Sequence, residues 1–270
     1  MNTAAPALLD KQHYFFIGIA GAGMSALAQY LRGMGKEVSG SDRLFEQTPD
    51  EMTRTALERE GIHCYAQDGR GLHAETELVI ISTAIEDTHP EKAKALRLGI
   101  PVVHRAELLA AICRSKRSIA IAGTSGKSTV TAMLFHILEV NHLHPSLISG
   151  AGLVSLQRQG KIGNACYGEG EWLVMEADES DGTLVHYAPE IGVLLNIDRD
   201  HKEVDELIQL FAQFRQHTRG AFLTNQAHAL SRALTLRPEW TFGEGSALYG
   251  TDFQQQGFQI QFSVQETRFT

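Results

Sequence analysis

Short runs of apolar residues alternate along the first part of the chain with longer stretches in which apolar residues recur three or four positions apart. The runs predict strands and the stretches predict helices. The predicted strand and helix pairs are 14–17 with 24–33, 37–39 with 51–60, and 78–81 with 91–98. Gly35, Gly61 and Gly99 each lie where a helix would end. This alternation is typical of a parallel sheet covered by helices.

The alternation continues through a strand at 102–103 and a helix at 106–113, and then resumes after a polar junction at 114–118. The later strands are predicted at 119–122, 147–148, 172–175, 193–196 and 221–223, and the later helices at 128–140 and 206–217. From Phe242 onward the pattern changes, and the alternating segment 258–264 predicts an antiparallel hairpin at the sheet edge. We therefore predict two α/β domains, at residues 1–112 and 117–270.

Composition limits the kinds of partner. The chain has 270 residues, 43% of them hydrophobic, which is enough for two domain cores. Its net charge of −8 argues against nucleic acid or an acidic membrane as partner, because both require a basic surface. No signal-peptide pattern and no apolar run of ~20 residues is present. Cys64, Cys113 and Cys166 form no CxxC pair and are interpreted as buried thiols. We predict a soluble cytoplasmic protein of open oligomeric state.

The first candidate ligand site is the glycine-rich segment from Gly18 to Ser25, between a predicted strand and a predicted helix. Glycines let the backbone approach a diphosphate, and a helix N-terminus offers N–H groups and a positive dipole end. Asp42 ends the next strand, where a carboxylate can accept a hydrogen bond from a ribose hydroxyl. We interpret the segment as a nucleotide-diphosphate site. The alternative is that these glycines only allow close packing, and their spacing differs from the usual dinucleotide pattern.

The second candidate site is Gly123-Thr-Ser-Gly-Lys-Ser-Thr129, which follows a predicted strand and begins a predicted helix. This is the order of a P-loop, in which backbone N–H groups surround phosphates, a lysine neutralises their charge and a hydroxyl reaches Mg²⁺. Lys127 and Ser128 take the last two roles. Ile121 stands where the strict pattern has glycine, which points away from ordinary P-loop NTPases. The alternative is a solvated Gly-Lys turn.

Acidic residues follow two later predicted strands. Glu176 directly follows the strand at 172–175, and Asp178, Glu179 and Asp181 come soon after it. Open α/β sheets bind ligands at the carboxyl ends of their strands, so these acids could hold Mg²⁺, although a solvated acidic loop is the usual explanation of such a cluster. The strand at 193–196 is followed by Asp198-Arg-Asp-His201. On spacing alone, a histidine there is more often an ordinary surface or core residue than a ligand.

The sequence resembles the Mur ligases over residues 13–201, because five segments occur in the same order in that family. These segments are His13–Ala26, Glu37–Asp42, Gly123–Lys127, Glu176–Gly182 and Asn196–His201. The first and the fourth are most similar to the branch that adds L-alanine to UDP-N-acetylmuramate. The resemblance implies a Rossmann-like UDP-sugar-binding domain, a P-loop-type α/β ATPase domain and a C-terminal domain for the amino acid.

The resemblance also implies roles for individual residues. The catalytic residues would be Lys127, Glu176, Asn196 and His201, with Asn196 near the substrate. Mg²⁺ would be held by Ser128, Glu176 and His201. The residues expected around the ATP phosphates are Gly123, Thr124, Ser125, Gly126, Lys127, Ser128 and Thr129. Those expected at the UDP-sugar are Gly21, Ala22, Gly23, Met24, Ser25, Ser41, Asp42, Ser82, Thr83 and Ala84.

The function implied by the resemblance is ATP-dependent amide formation in peptidoglycan precursor synthesis. ATP and Mg²⁺ would be the cofactors, and UDP-N-acetylmuramate and L-alanine the substrates. ATP would phosphorylate the sugar carboxylate, and alanine would attack the acyl phosphate. The alternatives are a ligase that recycles a murein tripeptide onto the same UDP-sugar, a binding module without turnover, and an NAD-dependent dehydrogenase. The second phosphate loop disfavours the dehydrogenase.

The sequence ends before the family's His-Asn-x-x-Asn-Ala segment, which helps to hold adenine, and before the C-terminal domain. The fold is therefore expected to be truncated. We expect these 270 residues alone to bind ligands without forming the amide bond, because the amine would not be positioned.

Overall fold

Parallel strands with helices between them make up most of the chain. The computed structural model describes residues 8–47, 52–179, 183–199, 203–246, 248–256, 259–264 and 267–269. The strands are β1 His13–Ile17, β2 Glu37–Ser41, β3 His63–Tyr65, β4 Leu78–Ile81, β5 Val102–His104, β6 Arg117–Ala122, β7 Ser146–Ile148, β8 Ala165–Cys166, β9 Trp172–Glu176, β10 Ile191–Leu194, β11 Ala221–Asn225, β12 Thr241–Phe242, β13 Thr251–Gln256, β14 Gln259–Val264 and β15 Thr267–Phe269.

The helices lie between these strands at the positions that the apolar spacing predicts, with several short helices in addition. They are α1 Ala22–Gly33, α2 Leu44–Gln47, α3 Met52–Arg59, α4 Pro90–Arg97, α5 Arg105–Ser115, α6 Lys127–Val140, α7 Val154–Gln157, α8 Val204–His217 and α9 Ala229–Arg232, and a 3-10 helix spans Thr183–His186. Gly35, Gly61 and Gly99 have φ of 83°, 78° and 69°, which confirms that they end helices in a left-handed conformation. No helix in the described ranges has the length and apolar character needed to cross a bilayer.

The first sheet has the strand order β3-β2-β1-β4-β5, and its strand pairs are all parallel. The central strand β1 is enclosed, with Phe15, Phe16 and Ile17 fully buried. The chain runs outward from β1 to β3 on one side and returns to β4 and β5 on the other. Ligands of such sheets bind where the order reverses, beyond the carboxyl ends of the strands. That place is the carboxyl end of β1, where the first glycine loop begins.

Contacts divide the chain into two units. The first comprises the described residues up to Ser118 together with Ser128–Glu176, and the second comprises Ile119–Lys127 together with the described residues from Ala177 onward. The predicted domains at 1–112 and 117–270 stay a prediction, because these units reflect contact density and do not mark where an independent fold begins.

Each unit places one of the candidate sites at strand ends. In the first unit, β7 pairs with β9 in parallel and with β8 in antiparallel orientation. In the second, the residues Ile119–Ala122 of β6 pair in parallel with β10, β10 pairs with β11, and β11 pairs with β12. Glu176 therefore ends a parallel strand of the first unit, and the second glycine loop follows a parallel strand of the second.

The predicted antiparallel segment is confirmed, but its predicted place is wrong. Strands β13, β14 and β15 form a three-stranded antiparallel sheet of their own, with β14 in the middle. The edge strand next to β11 is the short parallel strand β12, and among the described residues the hairpin does not pair with it. Phe258, where the hairpin was predicted to begin, lies outside the described residues.

The buried carboxylate of Glu91 connects α4 to the end of β2 and to the loop at Gly69. Glu91, at the start of α4, is 1% exposed. It accepts hydrogen bonds from the hydroxyl of Ser41 at 2.5 Å and from the backbone N–H of Gly69 at 3.1 Å. Burial raises the pKa of Glu91 above its usual value, and these two hydrogen bonds offset only part of that rise. The folded state therefore binds this proton more tightly than the unfolded state does.

We expect Glu91→Gln to gain stability relative to the parent chain as the pH rises. The parent loses stability between the unfolded pKa of Glu91 and its higher folded pKa, because the buried group must ionise, whereas glutamine does not titrate. Urea unfolding from pH 4 to pH 8 measures the difference between the two free energies of unfolding. A difference that does not change with pH would contradict the assignment.

Glu77 is the matched control with the opposite sign. Its exposed carboxylate accepts hydrogen bonds from the backbone N–H groups of Gln12 and His13, which lower its pKa. The carboxylate stabilises the fold above its unfolded pKa, and that contribution is lost as the pH falls through the folded pKa. Glu77→Gln should therefore be less stable than the parent at neutral pH and converge with it in acid.

Candidate nucleotide and metal sites

The first glycine loop is closed by the end of the neighbouring strand. The N–H groups of Gly18 and Ile19 both donate to the carbonyl oxygen of Ser41, at 2.8 and 3.0 Å. Gly18 has a φ of 83°, a conformation that L side chains rarely adopt. Helix α1 begins at Ala22, and its N-cap is Gly21, which has no side chain to satisfy the first N–H groups. An anion placed at this end can accept them.

The carboxylate of Asp42 supports this loop by accepting a hydrogen bond from its backbone. One oxygen of its carboxylate accepts from the N–H of Ala20 at 2.9 Å, and the other accepts from the N–H of Leu44 at 3.0 Å. Its side chain is buried, and the hydroxyl of Ser41 points to Glu91 and not to the loop. The contacts of Asp42 and Ser41 in the structure are therefore with the protein backbone and core. Their contact with a nucleotide stays a prediction.

The other residues predicted at the UDP-sugar fall into two groups. Met24 and Ser25 are buried in α1, and the hydroxyl of Ser25 donates to the carbonyl oxygen of Ala22 at 3.1 Å. The turn Ser82-Thr-Ala-Ile85 follows β4, the parallel neighbour of β1, and Cδ1 of its Ile85 lies 3.9 Å from the place where a Cβ atom on Gly18 would be. The turn therefore lies beside the glycine loop, and the side chains of Met24 and Ser25 are directed inward. The contact of these residues with a UDP-sugar stays a prediction.

Arg105 was not among the predicted site residues. It begins α5, and a Cβ atom on Gly23 would overlap its guanidinium group. A side chain at position 23 would therefore require the guanidinium group of Arg105, which lies 82 positions further along the chain, to move. No sequence pattern near either residue predicts this contact.

Asn196 braces the second glycine loop in the second unit. Its side-chain oxygen accepts from the hydroxyl of Thr124 at 2.8 Å and from the N–H of Ser125 at 2.9 Å, and its side-chain nitrogen donates to the carbonyl oxygen of Ser125 at 3.1 Å. The hydroxyl of Thr124 also accepts from the N–H of Asp198 at 2.9 Å. Gly123 has a φ of 137°, with the backbone of Asn196 directly beside it. Asn196 therefore fixes the shape of the loop.

Lys127 is paired with Glu179, one of the acids that follow the strand predicted at 172–175. Its Nζ atom lies 2.8 Å from the carbonyl oxygen of Gly123 and 3.0 Å from Oε2 of Glu179. The side chains of Lys127 and Glu179 are only 13% and 6% exposed. A phosphate that binds Lys127 must therefore compete with a buried carboxylate. The remaining predicted phosphate residues Ser125, Gly126 and Thr129 are exposed.

Ser128 and Glu176 come together in the first unit. The Ser128 hydroxyl lies 3.1 and 2.9 Å from the two carboxylate oxygens of Glu176. Oε2 of Glu176 also accepts from the N–H of Gly150 at 2.8 Å and from the hydroxyl of Ser149 at 3.3 Å. A hydroxyl and a carboxylate are oxygen ligands of the kind Mg²⁺ prefers, and two protein ligands suffice when phosphates and waters supply the rest.

His201, the third predicted metal ligand, lies outside the described residues, as do Asp181 and Asp200. Within the part of the chain that is described, no three side chains of histidine, cysteine, aspartate or glutamate are grouped to hold a metal.

Two family models match nearly the whole chain. The catalytic-domain model of the Mur ligase family matches residues 13–117, and the model of the Mur ligase middle domain matches residues 121–269. Among curated proteins, the UDP-N-acetylmuramate–L-alanine ligase of Streptomyces coelicolor is 38% identical over 243 residues, which are 88% of this chain and 50% of that protein. The protein of the same name from Geotalea uraniireducens is 41% identical over 210 residues, 76% of this chain and 43% of its own. The chain thus spans about half the length of these relatives.

Solved structures share the fold. The crystal structure of UDP-N-acetylmuramate-alanine ligase from Thermotoga maritima has a TM-score of 0.77 at 24% identity, over 93% of this chain and 57% of that chain. A murein peptide ligase from Psychrobacter arcticus has a TM-score of 0.78 at 23% identity, over 95% of this chain and 59% of its own. These likenesses confirm the predicted fold class, a Rossmann-like α/β part followed by a P-loop ATPase-like part.

We expect Lys127→Ala to destabilise the chain by about 3–5 kcal/mol, because Glu179 would remain buried without its cation. The double variant Lys127→Met with Glu179→Gln should recover most of that loss, since it removes both charges. Urea unfolding at pH 7 measures both changes. The control is Lys92→Ala, which breaks an ion pair whose acid, Asp87, is 96% exposed and which should cost less than about 1 kcal/mol. Equal losses in Lys127→Ala and Lys92→Ala would contradict the buried pair.

Proposed function

Since this chain belongs to the Mur ligase family, we propose that it carries the UDP-sugar-binding and ATP-binding parts of an enzyme that joins L-alanine to UDP-N-acetylmuramate. The observation that carries the proposal is the pair of glycine loops, each at the carboxyl end of a parallel strand, together with the contact between Ser128 and Glu176 that follows the second loop. The curated relatives at 36–41% identity bear the name of that ligase, which supports the choice of substrates.

The UDP-sugar binds at the first loop in this proposal. The N–H groups at the start of α1 donate to no capping side chain and can donate to a diphosphate placed at this end of the helix. The guanidinium of Arg105 lies against Gly23 in the same loop and adds a positive charge there. Local charges of this kind let a chain with a net charge of −8 hold a dianionic ligand.

ATP binds at the second loop. Asn196 holds Thr124 and Ser125 so that the loop backbone keeps one shape before the phosphates arrive. Lys127 exchanges the carboxylate of Glu179 for the phosphate oxygens and neutralises their charge. Ser128, Glu176 and His201 would hold Mg²⁺, which would supply electrostatic stabilisation to the charge that develops on the transferred phosphoryl group.

The reaction overcomes the poor reactivity of a carboxylate toward an amine. A carboxylate oxygen of the lactyl group attacks the γ-phosphorus of ATP, the bond to the bridging oxygen breaks, and ADP leaves. The amine of L-alanine then attacks the carbonyl carbon of the acyl phosphate, loses a proton and expels inorganic phosphate. The residues of this chain orient the sugar and the nucleotide in line and neutralise their charges.

A murein-tripeptide ligase that acts on the same UDP-sugar is the nearest alternative. The solved structures do not separate it from the alanine ligase, since both kinds share the fold at similar TM-scores. A full-length enzyme offered L-alanine and the tripeptide L-alanyl-γ-D-glutamyl-meso-diaminopimelate distinguishes them by which one is joined. A module without turnover would join neither.

We expect calorimetry to detect binding of UDP-N-acetylmuramate to this chain and no binding of NAD. Asp42→Ala should weaken the binding by about 1–3 kcal/mol, because Ala20 and the loop lose their buried carboxylate support. Asp87→Ala, which removes an exposed carboxylate, is the control and should leave the affinity unchanged. Preferential binding of NAD would reject the proposed ligand. An unchanged affinity in Asp42→Ala would contradict a role of this carboxylate in shaping the ligand site.

We expect Glu176→Ala to weaken the Mg²⁺-dependent binding of β,γ-imido-ATP by about tenfold or more, because a carboxylate ligand is lost. Glu171→Ala is the matched control, since Glu171 directly precedes the same strand at its opposite end and its side chain is 63% exposed. Calorimetric titrations with and without Mg²⁺ separate the metal-dependent part. Equal losses in both variants would contradict a metal role for Glu176. In a full-length enzyme, His201→Ala should depress turnover more than stability.

A further inference from the structure

We propose that Asn164 is a positioning residue that links the first glycine loop to the turn holding Glu176, so that binding of the UDP-sugar and binding of Mg-ATP strengthen one another. This inference rests on the proposed function. All of the contacts that carry it lie within the first unit of the structure.

The side-chain amide of Asn164 forms hydrogen bonds to three residues of α1. Its nitrogen donates to the carbonyl oxygen of Ala22 at 2.9 Å and to the hydroxyl of Ser25 at 3.2 Å. Its oxygen accepts from the side-chain nitrogen of Gln29 at 2.8 Å. Asn164, Ser25 and Gln29 are each no more than 3% exposed. A buried amide that both donates and accepts hydrogen bonds fixes the position of the groups around it.

The backbone of Asn164 reaches the other site. Its carbonyl oxygen accepts from the N–H of Ser149 at 2.8 Å. The hydroxyl of Ser149 and the N–H of Gly150 both donate to Oε2 of Glu176, at 3.3 and 2.8 Å. Gly150 packs so closely on this carboxylate that an added Cβ atom would lie 3.2 Å from Oε2. The position of the turn at Ser149 and Gly150 therefore sets the position of the carboxylate.

Asn164 thus connects two places, the start of α1 through its side chain and the turn at Ser149 and Gly150 through its carbonyl oxygen. Ala22 is the first residue of α1, where the diphosphate is proposed to bind, and Glu176 is the proposed ligand of Mg²⁺. A ligand that orders Ala22 also orders the amide of Asn164, and through its carbonyl oxygen the turn that donates to Glu176. Because free energies of binding are linked, the effect must be the same in both directions.

The geometry also explains why the residue is asparagine. A leucine in a site this enclosed would remove the hydrogen bonds of Asn164 to Ala22, Ser25 and Gln29 and could not replace them. An aspartate would direct a carboxylate oxygen at the carbonyl oxygen of Ala22 and would place a negative charge near the proposed diphosphate. Only an uncharged side chain that both donates and accepts satisfies these neighbours.

The experiment measures the coupling factor by calorimetry. This factor is the affinity for UDP-N-acetylmuramate with saturating Mg²⁺ and β,γ-imido-ATP, divided by the affinity without them. We expect about fivefold or more in the parent chain. In Asn164→Ala it should fall to about one, while each ligand alone still binds within about threefold of the parent. Asn141→Ala is the control, because the exposed side chain of Asn141 donates only to the carbonyl oxygen of Ile137 within its own helix.

A second variant and a second measurement do not depend on the folding of Asn164→Ala. Gln29→Met removes the donor to the side-chain oxygen of Asn164, together with the hydrogen bond from Gln29 to the carbonyl oxygen of Ser25, and should lower the coupling factor in part. In the parent chain, UDP-N-acetylmuramate alone should slow hydrogen exchange at the N–H groups of Ser149 and Gly150. The inference would be overturned if the parent chain showed no coupling, or if Asn164→Ala kept the coupling factor of the parent. It would also be overturned if the UDP-sugar did not change the hydrogen-exchange rates of the N–H groups of Ser149 and Gly150. Failure of the parent to bind the UDP-sugar at all would instead overturn the proposed function.

Discussion

The carboxyl ends of parallel strands all lie at one edge of a sheet. At that edge the chain must turn before the next helix begins. At such a turn, backbone N–H groups are not used by the sheet, and the helix that follows adds its own unpaired N–H groups and dipole. Both glycine loops of this chain occupy that position, one after β1 and one after β6. Left-handed backbone at Gly18 and at Gly123 is what allows the turns to be tight enough. The positions of the candidate sites therefore follow from strand direction. The backbone N–H groups form the anion site, and the side chains add selectivity for the ligand.

Charge has to be supplied locally, because the chain as a whole is acidic. Lys127 is kept at the second loop by Glu179, whose carboxylate lies 3.0 Å from its side-chain nitrogen. The same pairing lowers the net positive charge that a phosphate meets, so binding must replace one anion with another. Such an exchange limits nonspecific anion binding, since a weak anion does not displace a buried carboxylate. At the first loop, Arg105 provides the cation from a different element and lies against Gly23.

The strand and helix pattern could be predicted from sequence because long apolar runs and helical spacing are local properties. The predicted strand at 78–81 coincides with β4, and the other long elements differ mainly at their ends. The short strands β3, β8 and β12 were missed, since segments of two or three residues carry too few apolar positions to form a pattern. Tertiary contacts were missed for another reason. Gln29 and Asn164 are 135 positions apart, and Lys127 and Glu179 are 52 apart. Nothing near any of these residues indicates its partner, although the glycine loops and Glu176 could be found from local pattern alone.

Both loops are braced by an asparagine from a later part of the chain, and their proposed role in phosphate binding explains the choice. A loop that will surround phosphates must be held by groups that neither repel an anion nor compete for it. A carboxylate in the place of Asn196 would repel the phosphates, and a lysine would bind them and pull them out of position. An amide donates and accepts without net charge, so it can hold the N–H and the carbonyl of Ser125 at the same time. Asn164 does the same for Ala22 and Gln29 at the first loop. Charged residues in this chain are thus placed where they can meet a ligand, and uncharged amides are placed where the backbone that meets the ligand must keep its shape.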